Sequence, residues 1–360
     1  MVFLLASAAI SFAIAMFFVR QNTKGVTWGT DSDFEGPQKF HCKAVPRLGG
    51  IGILAAMAIS ALLAYWLTPV KEQMVLLVAC AIPALGYGLA EDITLSISPR
   101  KRLMAVAVSA LLGAYVLGAV INRLNIQGVD SLLTWAIVAI PFTVFAVAGL
   151  ANSINIIDGF NGLASMVCMM MFAAIAFVAY QVNDQFILLT SLCCIGALVG
   201  FFMLNFPRGL IFLGDGGAYF MGFMLAELAV LLCHRNAQVS PWFALLLFLY
   251  PTVETGFSMY RRRFVKGVPV ASPDGTHLHS LIFRRLLPSS GGIAGFFHIN
   301  TNSATSLYLW VLALFAVIPA ALFWQNTPML LFFCAVFIGV YLWLYQSIVR
   351  FRTPLWLRFR

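Results

Sequence analysis

The chain has 360 residues, of which 61% are hydrophobic and only 10% charged, with a formal net charge of +9. A soluble globular chain carries roughly 25% charged residues, so this composition excludes an ordinary soluble fold and points to lipid as the solvent. The basic residues lie in short segments between apolar stretches, a pattern of membrane topology and not of a nucleic-acid-binding face.

Spanning about 30 Å of hydrocarbon takes roughly 20 residues of helix, with every backbone hydrogen bond closed inside the segment. In chain order this predicts eleven spans: Met1 to Val19, Gly49 to Leu67, Met74 to Ala90, Leu103 to Ile121, Leu132 to Ala151, Leu163 to Tyr180, Gln185 to Asn205, Gly217 to Cys233, Pro241 to Phe257, Thr305 to Trp324 and Pro328 to Ile348. The expected fold class is all-α, a polytopic integral membrane helix bundle. It forms one membrane domain over residues 1–360, with a long cytoplasmic loop at 258–303.

No cation precedes the first stretch, and Arg20 and Lys24 follow it, so it reads as a retained helix and not a cleaved signal. With the amino terminus outside, 19 of the 22 Lys and Arg residues fall on the cytoplasmic side. Lys71, Arg123 and Arg235 are the exceptions. The positive-inside rule selects that orientation, which leaves the carboxyl terminus cytoplasmic. Six of the seven cysteines are inside apolar segments and Cys42 is in a loop, without paired C-x-x-C spacing. Neither a disulfide framework nor a zinc site is expected.

Four polar clusters interrupt the cytoplasmic intervals. Glu91-Asp92 closes the third span, with Arg100, Lys101 and Arg102 a few residues on. Adjacent carboxylates repel, so one holds its proton more tightly and can serve as a base, or both face a cation. Interfacial charge that simply ends the helix is the plainer alternative. In the second cluster Asn152, Asn155 and Asp158 are three apart and share a helical face. Oxygen donors so spaced suit magnesium, which takes a carboxylate or two plus water and substrate phosphate. Gly159 and Gly162, on either side of Phe160-Asn161, let the backbone turn near a ligand.

The third cluster sets Asp215 among Gly214, Gly216 and Gly217 just before a span. Backbone amides there can cradle phosphate while Asp215 holds a metal, although an Asp also caps helices well. The fourth runs from Glu254 through Arg261-Arg262-Arg263 to Asp274 and His277-Leu278-His279. Arginine forks recognise phosphate, and the histidines can hydrogen-bond it or exchange protons. Attraction to anionic lipid, or topology alone, also accounts for the arginines. Glu227, inside the eighth span, has no sequence-adjacent partner and is given no catalytic role. The Met166 to Met171 stretch reads as packing or lipid-facing surface.

Taken in order, five segments resemble the polyprenyl-phosphate N-acetylhexosamine-1-phosphate transferases, the membrane superfamily also called glycosyltransferase family 4. They are V-P-R-L-G-G-I-G from Val45, the pair Glu91-Asp92, N-S-I-N-I-I-D-G-F-N-G-L-A from Asn152, F-L-G-D-G-G-A from Phe212, and P-T-V-E-T through H-L-H. The resemblance covers approximately Val45 to Arg285. It implies magnesium-dependent transfer of a sugar phosphate from a UDP-sugar to undecaprenyl phosphate, with release of UMP; manganese is the alternative ion. By the same resemblance Asp215 with Asn155 looks like the metal site, and Asp158 and Asp92 look like the essential carboxylates. His277 with His279 would contact the nucleotide-sugar phosphates. Asn152, Asn161, Lys101, Arg261 and Arg262 complete the expected substrate contacts, and Glu91 is the third expected catalytic carboxylate.

Two departures qualify the carry-over. The family's usual first pair is Asp-Asp, so Asp92 ranks ahead of Glu91. Asn161 stands where many relatives have Asp, and it can offer an oxygen but cannot be a base. The ending H-L-H-S lacks the histidine run of the peptidoglycan-precursor branch. The expected branch therefore uses UDP-N-acetylhexosamines to initiate surface polysaccharide or O-antigen in the bacterial inner membrane, with phospho-N-acetylmuramoyl-pentapeptide transferase as the alternative. A transporter or lipid flippase is the rival of another class. It predicts polar residues at mid-membrane in several spans, where only Glu227 clearly qualifies. Expected partners are the UDP-sugar, undecaprenyl phosphate and membrane lipids, with no nucleic acid; a homodimer is allowed but not indicated by any residue.

Overall fold

Each of the eleven apolar stretches becomes a helix or a bent helix pair in the computed structural model, which describes residues 1–25, 29–31, 44–269, 274–287 and 300–352. Cys42 and two stretches of the expected long loop, 270–273 and 288–299, lie outside the described residues. The first helices are α1 (Val2–Thr23), α2 (Gly49–Leu67), α3 (Glu72–Cys80), α4 (Ile82–Thr94) and α5 (Pro99–Leu117). After a single turn, α6 (Val129–Leu132), come α7 (Ala136–Ile157), α8 (Leu163–Gln181), α9 (Gln185–Asn205) and α10 (Gly214–Arg235). Then follow α11 (Pro241–Leu247), α12 (Leu249–Tyr260), the short α13 (Leu278–Leu281), α14 (Thr301–Leu322) and α15 (Thr327–Val349). Helix α12 runs on through a π turn at Arg261–Val265, and α13 through one at Ile282–Leu286.

Among the described residues eight helices are long and apolar enough to cross a bilayer, and ten segments qualify when each bent pair counts as one span. The eleventh expected span, α5, carries Arg100, Lys101 and Arg102 in its first turn, so length and composition alone do not reach eleven crossings. Two spans expected to be continuous are broken: α3 and α4 meet at 41°, α11 and α12 at 67°. Proline explains both bends. Pro83 and Pro251 lie in the first turn after each break, where the ring removes a backbone donor and crowds the carbonyl of the preceding turn. The all-α expectation also missed a minimal antiparallel pair, β1 (Thr30–Asp31) with β2 (Val45–Pro46), in register Thr30↔Pro46.

Helix α10 is the centre of the bundle. It is 94% enclosed over its most apolar window, against 17% for α1 and 22% for α15, and it packs on α2, α4, α5, α7, α8 and α9. A helix apolar on every side belongs inside such a bundle, and glycine lets its neighbours approach backbone to backbone. A Cβ on Gly50 would lie 2.5 Å from the Gly217 nitrogen, and one on Gly88 2.6 Å from the Gly216 Cα. These contacts bring the start of α2 and the end of α4 against the first turn of α10. The loop before α10 is pinned there as well, since Phe212 N–H donates to the Pro46 carbonyl and Gly50 N–H to that of Leu213. At the other end of α10, Arg235 pairs with Asp184 at 2.7 Å, and Arg123 donates to the carbonyls of Cys233, Asn236 and Val239. Two of the three cations expected outside therefore lie at the end opposite Asp215.

Candidate active site

The first turn of a helix leaves backbone N–H groups without partners, and a carboxylate from a neighbouring element can satisfy them. Asp92, 3% exposed near the end of α4, does this for α10. Its Oδ1 accepts from Asp215 N–H and its Oδ2 from Gly216 N–H, both at 2.9 Å. Gly214 makes the approach feasible: its φ is +74°, and a Cβ there would stand 2.5 Å from Asp92 Oδ2.

Asp215, on that same turn, faces three donors. Asn155 Nδ2 donates to its Oδ1 at 2.9 Å, Arg47 Nη2 reaches the same oxygen at 3.5 Å, and Arg102 pairs with Oδ2. Arg47 also stands 3.3 Å from Asp92 through Nε, so it bridges the two carboxylates. Its own N–H is held by the Gly29 carbonyl, and it leads directly into α2. Arg102 additionally lies over the ring of Tyr219, whose hydroxyl donates to Asn152 Oδ1 at 3.3 Å. Asn152 and Asn155 thus share the face of α7 turned toward α10, as their three-residue spacing predicts.

Asp158 follows as the residue that ends α7. Among the described residues its carboxylate has no hydrogen-bond donor. The surrounding protein desolvates it and pushes it up to about 7, while the Arg47 guanidinium pulls it the other way. Asp92, Asp158 and Asp215 thus gather around two guanidiniums, those of Arg47 and Arg102.

The histidine segment reaches the same place. His279 sits edge-on to Phe160, and a Cβ on Gly159, next to Asp158, would lie 3.3 Å from His279 Nε2. Burial and the neighbouring His277 push His279 down to about 3, so its ring is neutral at pH 7. The rings of His277 and His279 stack at 5.1 Å. His277 Nδ1 is 2.9 Å from Glu254 Oε1.

Other expected contacts are placed elsewhere. Glu91 Oε2 accepts from Ile97 N–H at 2.6 Å, which closes the turn after α4 instead of joining the cluster. Lys101 is exposed and makes no hydrogen bond or ion pair among the described residues, whereas Arg102 one residue on reaches Asp215. Arg261 is buried against Asp274 and Tyr345 Oη, between the rings of Phe257 and Tyr345. Burial alone would raise the Asp274 carboxyl, but the Thr276 hydroxyl and Arg261 hold it well below the usual carboxylate range. This pair organises the loop. Arg262 is buried too, with Nε donating to the Ser258 carbonyl.

Asn161 is a staple. Its Nδ2 donates to the Pro207 carbonyl and Ser303 Oγ, its N–H to Asn302 Oδ1, and its carbonyl accepts from Ser306 Oγ. It ties the α7–α8 turn to the loop before α10 and to the start of α14, which explains an amide in a position that a base could otherwise fill. Arg47, Arg102, Glu254 and Tyr219 are the participants that sequence reasoning did not assign. The signals were present in Pro46-Arg47-Leu48-Gly49-Gly50 and in Glu254 on a membrane helix, but their partners lie far away in sequence.

The expected metal pair, Asp215 with Asn155, is brought together, and no group of three His, Cys, Asp or Glu side chains able to hold a metal occurs among the described residues. The six described cysteines are all free.

Residues 74–233 match the family model described as glycosyl transferase family 4. The chain is 28% identical over 248 residues to a Bacillus subtilis (strain 168) protein named "Probable undecaprenyl-phosphate N-acetylglucosaminyl 1-phosphate transferase", covering 67% of this chain and 66% of that one. It is 30% identical over 235 residues to a phospho-N-acetylmuramoyl-pentapeptide-transferase of Lactobacillus gasseri, covering 61% and 70%. With an undecaprenyl-phosphate alpha-N-acetylglucosaminyl 1-phosphate transferase of Escherichia coli (strain K12) it shares 27% identity over 279 residues, covering 75% and 72%. The chain thus spans about two thirds of the length of these relatives.

Proposed function

This chain belongs to glycosyl transferase family 4, and on that premise we propose that it transfers an N-acetylhexosamine-1-phosphate from a UDP-sugar to undecaprenyl phosphate, releasing UMP. The observation that carries this reading is the meeting of Asp92, Asn155, Asp158 and Asp215 with Arg47, Arg102 and the histidine segment at one end of the bundle. In the orientation set by the positive-inside rule that end is cytoplasmic, where a nucleotide sugar is available, and the protein sits in the bacterial inner membrane.

Phosphoryl transfer between two anions needs positioning and neutralisation more than covalent chemistry. An oxygen of the lipid phosphate attacks the sugar-linked phosphorus, a new P–O bond forms, and the bond to the UMP oxygen breaks. Asp158, the carboxylate without a donor, takes the proton when the lipid phosphate arrives as a monoanion. Asp92 fixes the first turn of α10 by accepting from the Asp215 and Gly216 amides. Arg47 and Arg102 offset charge on the phosphates, and His277 and His279 meet the diphosphate of the donor.

The oxygen donor set fits magnesium, with manganese as an alternative, because such ions take one or two carboxylates and complete their shell with water and phosphate. Asp215 would hold the ion, with the Asn155 amide oxygen beside it, and binding would exchange the Arg102 contact for the cation. Bound there, the ion supplies charge neutralisation for the reacting phosphates.

The test is UMP release by purified protein with undecaprenyl phosphate and, separately, UDP-N-acetylglucosamine, UDP-N-acetylgalactosamine or UDP-N-acetylmuramoyl-pentapeptide. Turnover with a UDP-N-acetylhexosamine, lost on chelation and restored by magnesium, is the expected result. The pentapeptide donor represents the second reading, which the 30% identity to the Lactobacillus gasseri protein favours; exclusive use of it would select that reading. The role proposed for the UDP-N-acetylhexosamine reaction is to initiate surface polysaccharide or O-antigen synthesis. Release of UMP from none of the three donors would refute the proposal.

A further inference from the structure

Glu254 lies on α12 and is 1% exposed, where a carboxylate is costly unless its charge is met. Three donors meet it from two directions. Oε1 faces His277 Nδ1 at 2.9 Å and accepts from Leu278 N–H at 3.1 Å, while Oε2 accepts from the Tyr341 hydroxyl at 2.8 Å. Tyr341 comes from α15, a helix that mostly faces outward. One turn on, Tyr345 of the same helix accepts from Arg261 Nη1 at 2.8 Å and donates to the Thr276 carbonyl at 3.2 Å. The last helix therefore carries two hydroxyls into the segment that holds the histidines.

A ring nitrogen that faces a carboxylate carries the proton, which leaves the other nitrogen for a second partner. For His277 this makes Nδ1 the protonated atom and Nε2 the available one. Around His277, the Arg261 charge is already met by Asp274, and His279 is neutral. Glu254 is then the carboxylate left to balance an imidazolium at His277, and Tyr341 keeps it in place.

We propose that Glu254, held by Tyr341, is the positioning residue for His277, accepting from Nδ1–H of its imidazolium and so aiming Nε2–H to donate to the diphosphate of the nucleotide sugar. The ligand in this statement rests on the transferase reading; the protonation of Nδ1 does not.

Two measurements separate these claims. Nitrogen-15 NMR of full-length, histidine-labelled protein in lipid nanodiscs, with the His277 signals assigned by comparison with His277→Gln, should show a protonated Nδ1 without any substrate. An unprotonated Nδ1 overturns the proposal. In steady-state UMP release with UDP-N-acetylglucosamine, Glu254→Gln should raise KM for the donor roughly tenfold and leave KM for undecaprenyl phosphate within about twofold, as expected for a lost charge-assisted contact. Tyr341→Phe should move the donor KM about threefold in the same direction. Glu254→Gln should add nothing on a His277→Gln background, and a full additional loss there overturns the proposal. Tyr341→Phe on the same background carries that test if Glu254→Gln elutes as aggregate. Absence of UMP release from wild-type protein with all three donors would instead refute the transferase reading, with the nitrogen spectrum still deciding the Glu254–His277 pair.

Discussion

Asp158→Asn should lower kcat about a thousandfold while leaving the bundle intact, the range expected when a general base is removed. The reason lies in how the three carboxylates are used. Both oxygens of Asp92 are occupied by the amides of Asp215 and Gly216, and both oxygens of Asp215 by Asn155, Arg47 and Arg102. Asp158 alone of the three has no hydrogen-bond donor among the described residues, and its carboxyl is pushed up to about 7 by desolvation. A base works when deprotonated, so wild-type turnover should rise as pH increases through about 7 and level off above it. At one pH unit below that midpoint about a tenth of the plateau rate should remain, and Asp158→Asn should lose this limb. A variant with more than a tenth of wild-type kcat and an unchanged acid limb would show that the base lies elsewhere. Monodisperse elution and unaltered helical circular dichroism of the variant would confirm that chemistry and not folding was lost.

The second large effect is steric and comes from outside the polar cluster. Gly50→Ala should lower kcat roughly a hundredfold, because its methyl group would stand 2.5 Å from the Gly217 nitrogen and the backbones of α2 and α10 must separate. Arg47 precedes α2 and Asp215 opens α10, so a shift between these helices lengthens the contacts joining Arg47, Asp92 and Asp215. Gly86→Ala on α4 is the matched control: nothing lies within 4 Å of the added methyl, and turnover should match wild type. Equal activity of both variants would show that the glycine contacts do not set the site's geometry.

Much of this arrangement is legible in the sequence, and what escaped has physical causes. Apolar length locates the helices because lipid imposes a fixed thickness. The Asn152, Asn155 and Asp158 face is readable because helical periodicity is local. The bends at Ala81 and Phe248 were foreshadowed by Pro83 and Pro251, but apolar length alone counts straight through them. Pairings across the bundle are another matter. Lys101 and Arg102 are equal candidates by charge, and only the rotation of α5 against α10 decides that Arg102 reaches Asp215. Asp92 looked free to act as a base because nothing local reveals that α10 presents two amides to it. Asn161 looked like a ligand contact for a similar reason, since its partners come from Pro207 and from α14. Glu254 carries no motif value alone; its meaning comes from His277 and Tyr341, one of them on the last helix.

The position of one labelled phosphorus tests the central claim most directly. With UDP-N-acetylglucosamine labelled at the sugar-linked phosphate, attack at that phosphorus places the label in the undecaprenyl product and leaves the released UMP unlabelled. Label recovered in free UDP, with sugar alone on the lipid, would mean that the acidic cluster serves a different reaction.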